Sequence, residues 1–263
     1  MSSVTLVWES EKLLRVNDIR FHVTFDQEMH DVDSTENCFL LSKAPEMVER
    51  SAALAAGGRI AKIFEIGIFK GGSVVLHDQL FAPVKIAAVD VRRKPVEALS
   101  KYIAARGRAD AVRTYYGVDQ GDRAAMERIL ETEFPERDID LVIDDGSHRY
   151  HKTRITFNAC FPFLKPGGRY VIEDWAWAHW AGERWQTPPW QLWRLPPYRG
   201  GKALSNLLIE LFMLCASRPD LVEDLSVTHN LIVVRRGSTR LPPGPFDIGE
   251  HYLLRGKRFR AWL

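Results

Sequence analysis

The chain has 263 residues, of which 46% are apolar and 27% are charged, and its formal net charge is +2. This balance is typical of a soluble globular protein and gives no reason to expect a nucleic-acid surface. We see no signal peptide, and the longest apolar stretch, residues 204–216, is too short to span a bilayer. We expect a cytoplasmic protein with a small-molecule or oligosaccharide partner and three buried free cysteines, with no nucleic-acid or membrane partner. Homo-oligomerisation is left open.

Residues 1–45 alternate weakly between apolar and polar positions, which predicts an N-terminal extension of short strands or a lid. Pro45 opens a predicted helix that ends at Ala56, before two glycines. The main domain is predicted over residues 46–237, and residues 238–263 form a C-terminal tail.

From residue 59 onward, predicted strands alternate with predicted helices. Such alternation favours a mostly parallel sheet with helices on both faces, the α/β class of fold. The predicted strands cover residues 59–67, 85–91 and 112–118, a segment ending at Asp144, and residues 169–174, 223–227 and 230–236. The predicted helices cover residues 74–81, 95–106, 123–134, 152–163 and 202–217.

A glycine-rich turn, Glu65-Ile-Gly-Ile-Phe-Lys-Gly-Gly-Ser73, follows the first strand of this domain. Such a turn places backbone N–H groups at a helix N-terminus, where a ligand can approach closely. The spacing fits neither the G-x-G-x-x-G pattern nor a P-loop. Asp90 ends the next strand, where an acid can bind the ribose of NAD or of S-adenosylmethionine. The single early glycine favours S-adenosylmethionine, which has no pyrophosphate. The alternative is that the glycines only allow tight packing of the strand on the helix.

Two further predicted strands end in acidic residues. Asp144 and Asp145 are followed by His148, and the next strand ends in Glu173 and Asp174. Carboxyl ends of neighbouring parallel strands meet at one rim of the sheet, so four carboxylates and an imidazole are expected together. Like charges at such a rim repel, and a divalent cation would relieve the repulsion. Helix capping or salt bridges to nearby basic residues are the alternative.

Five segments together carry a family resemblance: FEIGIFKGGS, the AVD ending at Asp90, GVDQGD, DLVIDDGSH and LKPGGRYVIED. They resemble the class I S-adenosylmethionine-dependent methyltransferases. The DDGSH and ED pair more narrowly resembles the metal-dependent bacterial sugar O-methyltransferases, such as the macrolide-sugar enzymes of the mycinamicin type. The likeness covers residues 60–174 and, more weakly, 225–237. It implies a Rossmann-like seven-stranded sheet of order 3-2-1-4-5-7-6 whose last strand is antiparallel.

The resemblance also implies roles for individual residues. Glu65 and Gly67 would lie near the amino-acid part of the cofactor, Asp90 would bind its ribose, and Asp144 would lie near the methionine moiety. Asp119 and Gln120 would approach the adenine. The whole implied cofactor-binding set is Glu65, Gly67, Gly71, Ser73, Asp90, Asp119, Gln120 and Asp144.

A sugar hydroxyl is a poor nucleophile, so its methylation needs a base, a Lewis acid or both. Asp145, Glu173 and Asp174 supply the hard oxygen ligands that Mg²⁺ prefers. His148 is expected to take the proton, because histidine titrates near neutral pH. The alternatives for this histidine are a loop cap and a metal ligand.

Residues 175–201 are rich in tryptophan and proline and show no sustained period, which predicts a functional loop. Aromatic rings pack on the apolar faces of sugars, so the loop is expected to cover the acceptor; core packing or a subunit interface is the alternative. Trp175, Tyr150 and His151 are the candidate acceptor contacts. The tryptophans of this region are Trp175, Trp177, Trp180, Trp185, Trp190 and Trp193.

Three other functions stay open on the sequence. A catechol-type O-methyltransferase also uses Mg²⁺ but would not need a histidine base. A nicotinamide-dependent oxidoreductase should show a fuller G-x-G-x-x-G. A non-catalytic sugar-binding protein would explain the tryptophans but not the cofactor motifs.

Overall fold

The computed structural model describes residues 4–26, 28–56, 58–180, 201–254 and 257–258. The predicted tryptophan-rich loop falls largely on residues 181–200, so Trp185, Trp190 and Trp193 lie outside the described residues. The chain divides into two units, Met1–Val118 and Asp119–Leu263, which are described in turn. The domain limits drawn from the sequence, at residues 45 and 237, stay predictions.

The first unit begins with a sheet of order β1-β2-β3-β4, so the predicted short strands are present. Its first three strands are antiparallel, and β4 pairs in parallel with β3. Leu14, Phe21 and Phe39 are fully buried and form its core. The elements are β1 Leu6–Ser10, β2 Leu13–Val16, β3 Ile19–Val23, α1 Glu28–Asp31 and β4 Cys38–Leu41.

The rest of the first unit alternates helix and strand, as the sequence predicts. Strands β5, β6 and β7 pair in parallel. Their continuous apolar runs are typical of strands covered on both faces. The elements are α2 Pro45–Ala56, β5 Lys62–Ile66, α3 Gly72–Phe81, β6 Lys85–Asp90, α4 Glu97–Ala105 and β7 Val112–Tyr116.

In the second unit, β8 and β9 are parallel neighbours, and β11 pairs antiparallel with both β9 and β10. All six residues of β8 are buried. The elements are α5 Arg123–Glu133, β8 Ile139–Asp144, α6 Tyr150–Cys160, β9 Leu164–Glu173, α7 Ser205–Ser217, β10 Val222–Val227, β11 Leu231–Arg236, β12 Leu253–Leu254 and β13 Lys257–Arg258.

The large sheet has seven strands in the order β10-β11-β9-β8-β5-β6-β7. Read from the β7 edge, this is the predicted order 3-2-1-4-5-7-6. The last of these strands along the chain, β11, is the antiparallel one. The predicted fold class is confirmed.

The boundaries predicted between α6 and β9 are wrong. The helix predicted over residues 152–163 begins at Tyr150 and ends at Cys160, where a 3-10 turn containing Pro162 follows. Proline has no N–H to continue the α-helical bonding, which explains the change. Strand β9 begins at Leu164 and includes the glycines predicted to stop the helix. Gly167 there has φ 75°, a conformation that glycine adopts readily and that accompanies an irregular register with β8.

None of the helices in the described ranges is long and apolar enough to cross a membrane. Cys38, Cys160 and Cys215 are free thiols, as expected, but only Cys160 is buried.

Candidate active site

The glycine-rich turn lies in the first unit, between the end of β5 and the start of α3. Gly67 and Gly71 have φ of 99° and 85°, in the left-handed region that side chains disfavour. Ser73 lies in the first turn of α3. These residues have the local geometry expected of a turn that presents backbone N–H groups to a ligand.

Asp90, at the end of β6, holds this turn in place. Its Oδ2 accepts hydrogen bonds from the N–H groups of Ile68 and Phe69, both at 2.9 Å, and its Oδ1 accepts one from Arg92 at 2.8 Å. Carboxylate oxygens can each accept two hydrogen bonds, so the group retains capacity for a further hydroxyl donor. Asp90 therefore supports the turn and fits its expected role toward a ribose.

Glu65 is fully buried, and its Oε2 lies 2.8 Å from Nδ1 of the equally buried His77. Its other oxygen, Oε1, is buried without a hydrogen-bond partner among the described residues. An unsatisfied buried acceptor is unfavourable by about 1–3 kcal/mol. A donor group on a bound ligand would remove this deficit.

In the second unit, Asp119 and Gln120 have different surroundings. Asp119 forms an ion pair with Lys152, at 2.6 Å, which lowers the pKa of the carboxyl. Gln120 is buried, and its amide donates to Asp144 at 3.1 Å and to Thr156 at 3.0 Å. The side-chain amide of Gln120 is thus hydrogen-bonded within its own unit, and its expected role toward the adenine stays a prediction.

Asp144 is 2% exposed at the end of β8. Burial raises the pKa of this carboxyl to about 6, although hydrogen bonds from Tyr170 and Gln120 favour its ionised form. The Tyr170 hydroxyl donates to it at 2.9 Å. Asp144 is therefore held at the end of β8 by hydrogen bonds from Gln120 and Tyr170.

Asp145, His148 and Asp174 converge beyond the ends of β8 and β9. Each offers a ligand atom, and these atoms all lie within 4.8 Å of one another. His148 and Asp174 have φ of 52° and 51°, which is uncommon for residues other than glycine. Such strained backbone persists only where the surroundings fix it, and it is frequent at functional sites.

The ring of His148 is oriented by the backbone of β9. Its Nδ1 lies 3.3 Å from the carbonyl oxygen of Glu173. A carbonyl only accepts hydrogen bonds, so this contact favours the proton on Nδ1 and leaves the lone pair on Nε2. Nε2 lies 3.8 Å from Oδ1 of Asp145. Nε2 of His148 therefore lies on the side of the ring near the Asp145 carboxylate.

Some of the residues expected to bind the metal lie close together, and the metal-binding role itself stays a prediction. Asp145 and Asp174 are brought together as expected, and the expected base, His148, lies with them. Glu173 is buried at the end of β9 and is not a member of this three-residue group. The proposed ligand role of Glu173 stays a prediction.

The expected acceptor contacts have internal partners. The Trp175 indole N–H donates to the carbonyl of Thr228 at 2.7 Å. The Tyr150 hydroxyl donates to Glu210 on α7. His151 is exposed in the first turn of α6. Trp175 and Tyr150 therefore have their polar ends engaged within the unit.

The sequence and the fold of this chain are similar to those of known proteins. Residues 64–175 match a family model described as a methyltransferase domain. These residues are similar to a methyltransferase domain. Their limits enclose the glycine-rich turn, Asp90 and the Asp145–His148–Asp174 group.

Curated relatives of the methyltransferase domain are bacterial. The mycinamicin VI 2''-O-methyltransferase of Micromonospora griseorubida is 35% identical over 136 residues, which are 49% of this chain and 30% of that protein. The demethylmacrocin O-methyltransferase of Streptomyces fradiae is 28% identical over 198 residues, 67% of this chain and 44% of that protein. The chain thus spans less than half the length of these curated relatives.

A solved structure gives a similar result. The MycE methyltransferase from the mycinamycin biosynthetic pathway, in complex with Mg, SAH and mycinamycin VI, is 28% identical with a TM-score of 0.53. The match covers 73% of this chain and 49% of that one. The two chains share a similar fold over this part, and that structure contains Mg and SAH.

Sequence reasoning gave no individual role to Trp177 or to Glu210. Trp177 donates its indole N–H to the His148 carbonyl at 3.3 Å. Glu210 is 1% exposed and also accepts from Arg154 at 2.9 Å, so it connects α7 to α6. The available signal for Glu210 was that it is the single acid within the apolar stretch 204–216, and Trp177 was marked only as one of the tryptophans of residues 175–201.

Proposed function

We propose that this protein methylates a sugar hydroxyl of a glycosylated small molecule or oligosaccharide, with S-adenosylmethionine as methyl donor, a divalent cation and His148 as base. The observation that carries the proposal is the Asp145–His148–Asp174 group within a methyltransferase domain. The names of the relatives point to the same substrate class. We place the reaction in the cytoplasm, where S-adenosylmethionine is made.

The residues present fit S-adenosylmethionine, whose sulfonium makes its methyl group electrophilic. The unsatisfied Oε1 of Glu65 suits an ammonium donor, and the Asp90 carboxylate suits ribose hydroxyls. Gly67 and Gly71 leave the turn open to close approach, with Ser73 in the following helix. In the second unit, we assign Asp119 and Gln120 to the adenine and Asp144 to the methionine side. SAH, found with MycE, is what remains of this donor after transfer.

The donor set also fits a hard cation such as Mg²⁺. Asp145 and Asp174 supply carboxylate oxygens close enough for one ion to satisfy both, and a cation would offset their mutual repulsion. We retain Glu173 as a third oxygen ligand. A bound Mg²⁺ would orient the sugar oxygens and lower the pKa of the reacting hydroxyl.

His148 performs the proton transfer in this proposal. The Glu173 carbonyl holds the proton on Nδ1, so Nε2 takes the proton of the sugar hydroxyl. An oxygen–carbon bond forms as the carbon–sulfur bond of the donor breaks. The protonated imidazole is then stabilised by the nearby Asp145 carboxylate.

On the acceptor side, Trp175, Tyr150 and His151 are proposed contacts. The polar ends of Trp175 and Tyr150 are already bonded, so these two would offer ring faces rather than hydrogen bonds. Ring faces suit the apolar C–H surface of a sugar.

Titration calorimetry tests the cofactor assignment. We expect wild-type protein to bind S-adenosylmethionine and to show no heat of binding with NAD. Turnover is then compared on glycosides and on catechols. Binding of NAD alone would identify an oxidoreductase, and methylation of catechols but not glycosides would favour the catechol-type enzyme.

We predict that Trp177→Phe lowers kcat about three- to tenfold and leaves KM for the acceptor within about twofold. Phenylalanine keeps an aromatic ring but loses the N–H donated to the His148 carbonyl, so the strained backbone of His148 is less well held. Steady-state kinetics with Trp8→Phe, in β1, provide the matched control. A rise in KM with kcat unchanged would instead assign Trp177 to acceptor binding.

A further inference from the structure

We propose that residues 30–34, which we name the strap, fix the glycine-rich turn in its ligand-binding conformation, and that Lys70 is the positioning residue through which they act. The inference rests on the proposed use of this turn for S-adenosylmethionine. It gives the N-terminal region a role in cofactor binding.

Lys70, in the middle of the turn, has its ammonium group held by the strap. It donates to the backbone carbonyls of His30, at 3.2 Å, and Val32, and it lies 3.0 Å from Oδ1 of Asp33. An ammonium has three N–H donors, and three acceptors surround this one. The Lys70 side chain is only 13% exposed and its bond to the Val32 carbonyl is partly buried, so water competes little for that bond, whereas the Asp33 side chain is exposed.

Ser34 holds the backbone of the same residue. Its hydroxyl donates to the Lys70 carbonyl at 2.6 Å and accepts the N–H of Leu40, in β4, at 2.9 Å. Lys70 is therefore held by the strap at its side chain and at its main chain. The hydroxyl of Ser34 also ties this arrangement to the sheet of β1–β4.

The turn has little freedom to adopt another conformation at its contact with β4. A Cβ added at Gly72 would lie 1.9 Å from the carbonyl oxygen of Leu40, so the two backbones are in direct contact. Phe69, beside Lys70, has φ 50°, which is unfavourable for a residue with a side chain. Its N–H is nevertheless directed at Asp90. Contacts from the strap can maintain this strained arrangement.

The position of these contacts explains why the effect should fall on the cofactor. The residues held by the strap and by Asp90 are consecutive, from Ile68 to Lys70. If the turn binds the cofactor only when it is ordered, the observed affinity is the intrinsic affinity multiplied by the fraction of molecules in which the turn is ordered. Once S-adenosylmethionine is bound, the turn is ordered, and the chemical step does not depend on Lys70.

Lys70→Met and Lys12→Met form a matched pair for testing this. Lys12 forms ion pairs with Asp26 and Glu28 in the same N-terminal region, and its side chain is half-exposed. We expect Lys70→Met to weaken S-adenosylmethionine binding by about tenfold or more in calorimetry, with kcat at saturating cofactor within about twofold of wild type. Lys12→Met should bind like wild type.

Ser34→Ala provides a second, milder variant, which should weaken binding about threefold, and it serves if Lys70→Met does not fold. Thermal unfolding of every variant separates loss of affinity from loss of fold. The inference is overturned if folded Lys70→Met and Ser34→Ala both bind the cofactor within twofold of wild type, or if kcat falls in parallel with affinity. If wild-type protein binds no S-adenosylmethionine, the proposed function itself fails, and the cofactor role of the strap fails with it.

Discussion

Replacing His148 with alanine is expected to lower turnover of a glycoside by at least about a hundredfold, the usual contribution of a general base. Binding of S-adenosylmethionine should remain within about twofold of wild type. The reason is that Nε2, the nitrogen left without a proton by the contact of Nδ1 with the Glu173 carbonyl, is the proposed proton acceptor. Stopped-time assays at saturating substrates, with calorimetry for the cofactor, give both quantities.

The control is His229→Ala, which removes an exposed imidazole between β10 and β11 and should keep kcat within about twofold. Metal binding by the His148→Ala variant distinguishes a role of His148 as a base from a role as a metal ligand. Retained metal binding with lost turnover indicates a base, whereas joint loss of both indicates a ligand. Glycoside turnover within tenfold of wild type would contradict the assignment of His148 as the base.

Asp174→Asn is expected to weaken binding of Mn²⁺, a spectroscopic substitute for Mg²⁺, by about tenfold or more and to abolish turnover at low metal concentration. The amide keeps the size of the side chain but replaces one charged ligand with a neutral one, and hard cations prefer carboxylate oxygen. Electron paramagnetic resonance of free Mn²⁺ measures the affinity. Because this readout is independent of catalysis, it tests the metal site directly.

Asp224→Asn, a change of the same kind at an exposed position of β10, is the control and should leave Mn²⁺ affinity unchanged. Excess Mg²⁺ should restore part of the turnover of Asp174→Asn. Equal Mn²⁺ affinity in the two variants would show that Asp145, His148 and Asp174 converge for another reason, such as a hydrogen-bonded loop.

The sheet was predictable because its signals are local. A continuous apolar run such as that of β8 shows a strand covered on both faces, and the acids that follow it mark the strand end. The turn after β5 and Asp90 after β6 are likewise read from short segments. The parallel pairing of β5 with β6 places Asp90 beside the turn, where it accepts hydrogen bonds from Ile68 and Phe69.

Side-chain direction at the strand ends was less predictable. His148 and Asp174 have left-handed backbone conformations, which affect the directions of their side chains. The residue types alone do not require these conformations. For this reason, the sequence could not show that Glu173 would contribute its carbonyl to the orientation of His148.

Long-range polar contacts also could not be predicted from sequence patterns. Val32 and Lys70 are separated by 38 residues, and Tyr150 and Glu210 by 60. Such pairs join elements that are far apart in the sequence and close together in the fold. The weak alternation of residues 1–45 indicated strands but gave no sign that the strap would hold the glycine-rich turn.

The most direct test of the central claim is mass spectrometry of glycosides incubated with the protein, S-adenosylmethionine and Mg²⁺, with and without a chelator. We predict one added methyl group on a sugar hydroxyl, which disappears with the chelator and returns when Mg²⁺ is restored in excess. Methylation of the same hydroxyl that survives complete chelation would contradict the metal-assisted mechanism. Absence of any methylated glycoside from a broad panel, in protein that binds S-adenosylmethionine, would contradict the sugar assignment.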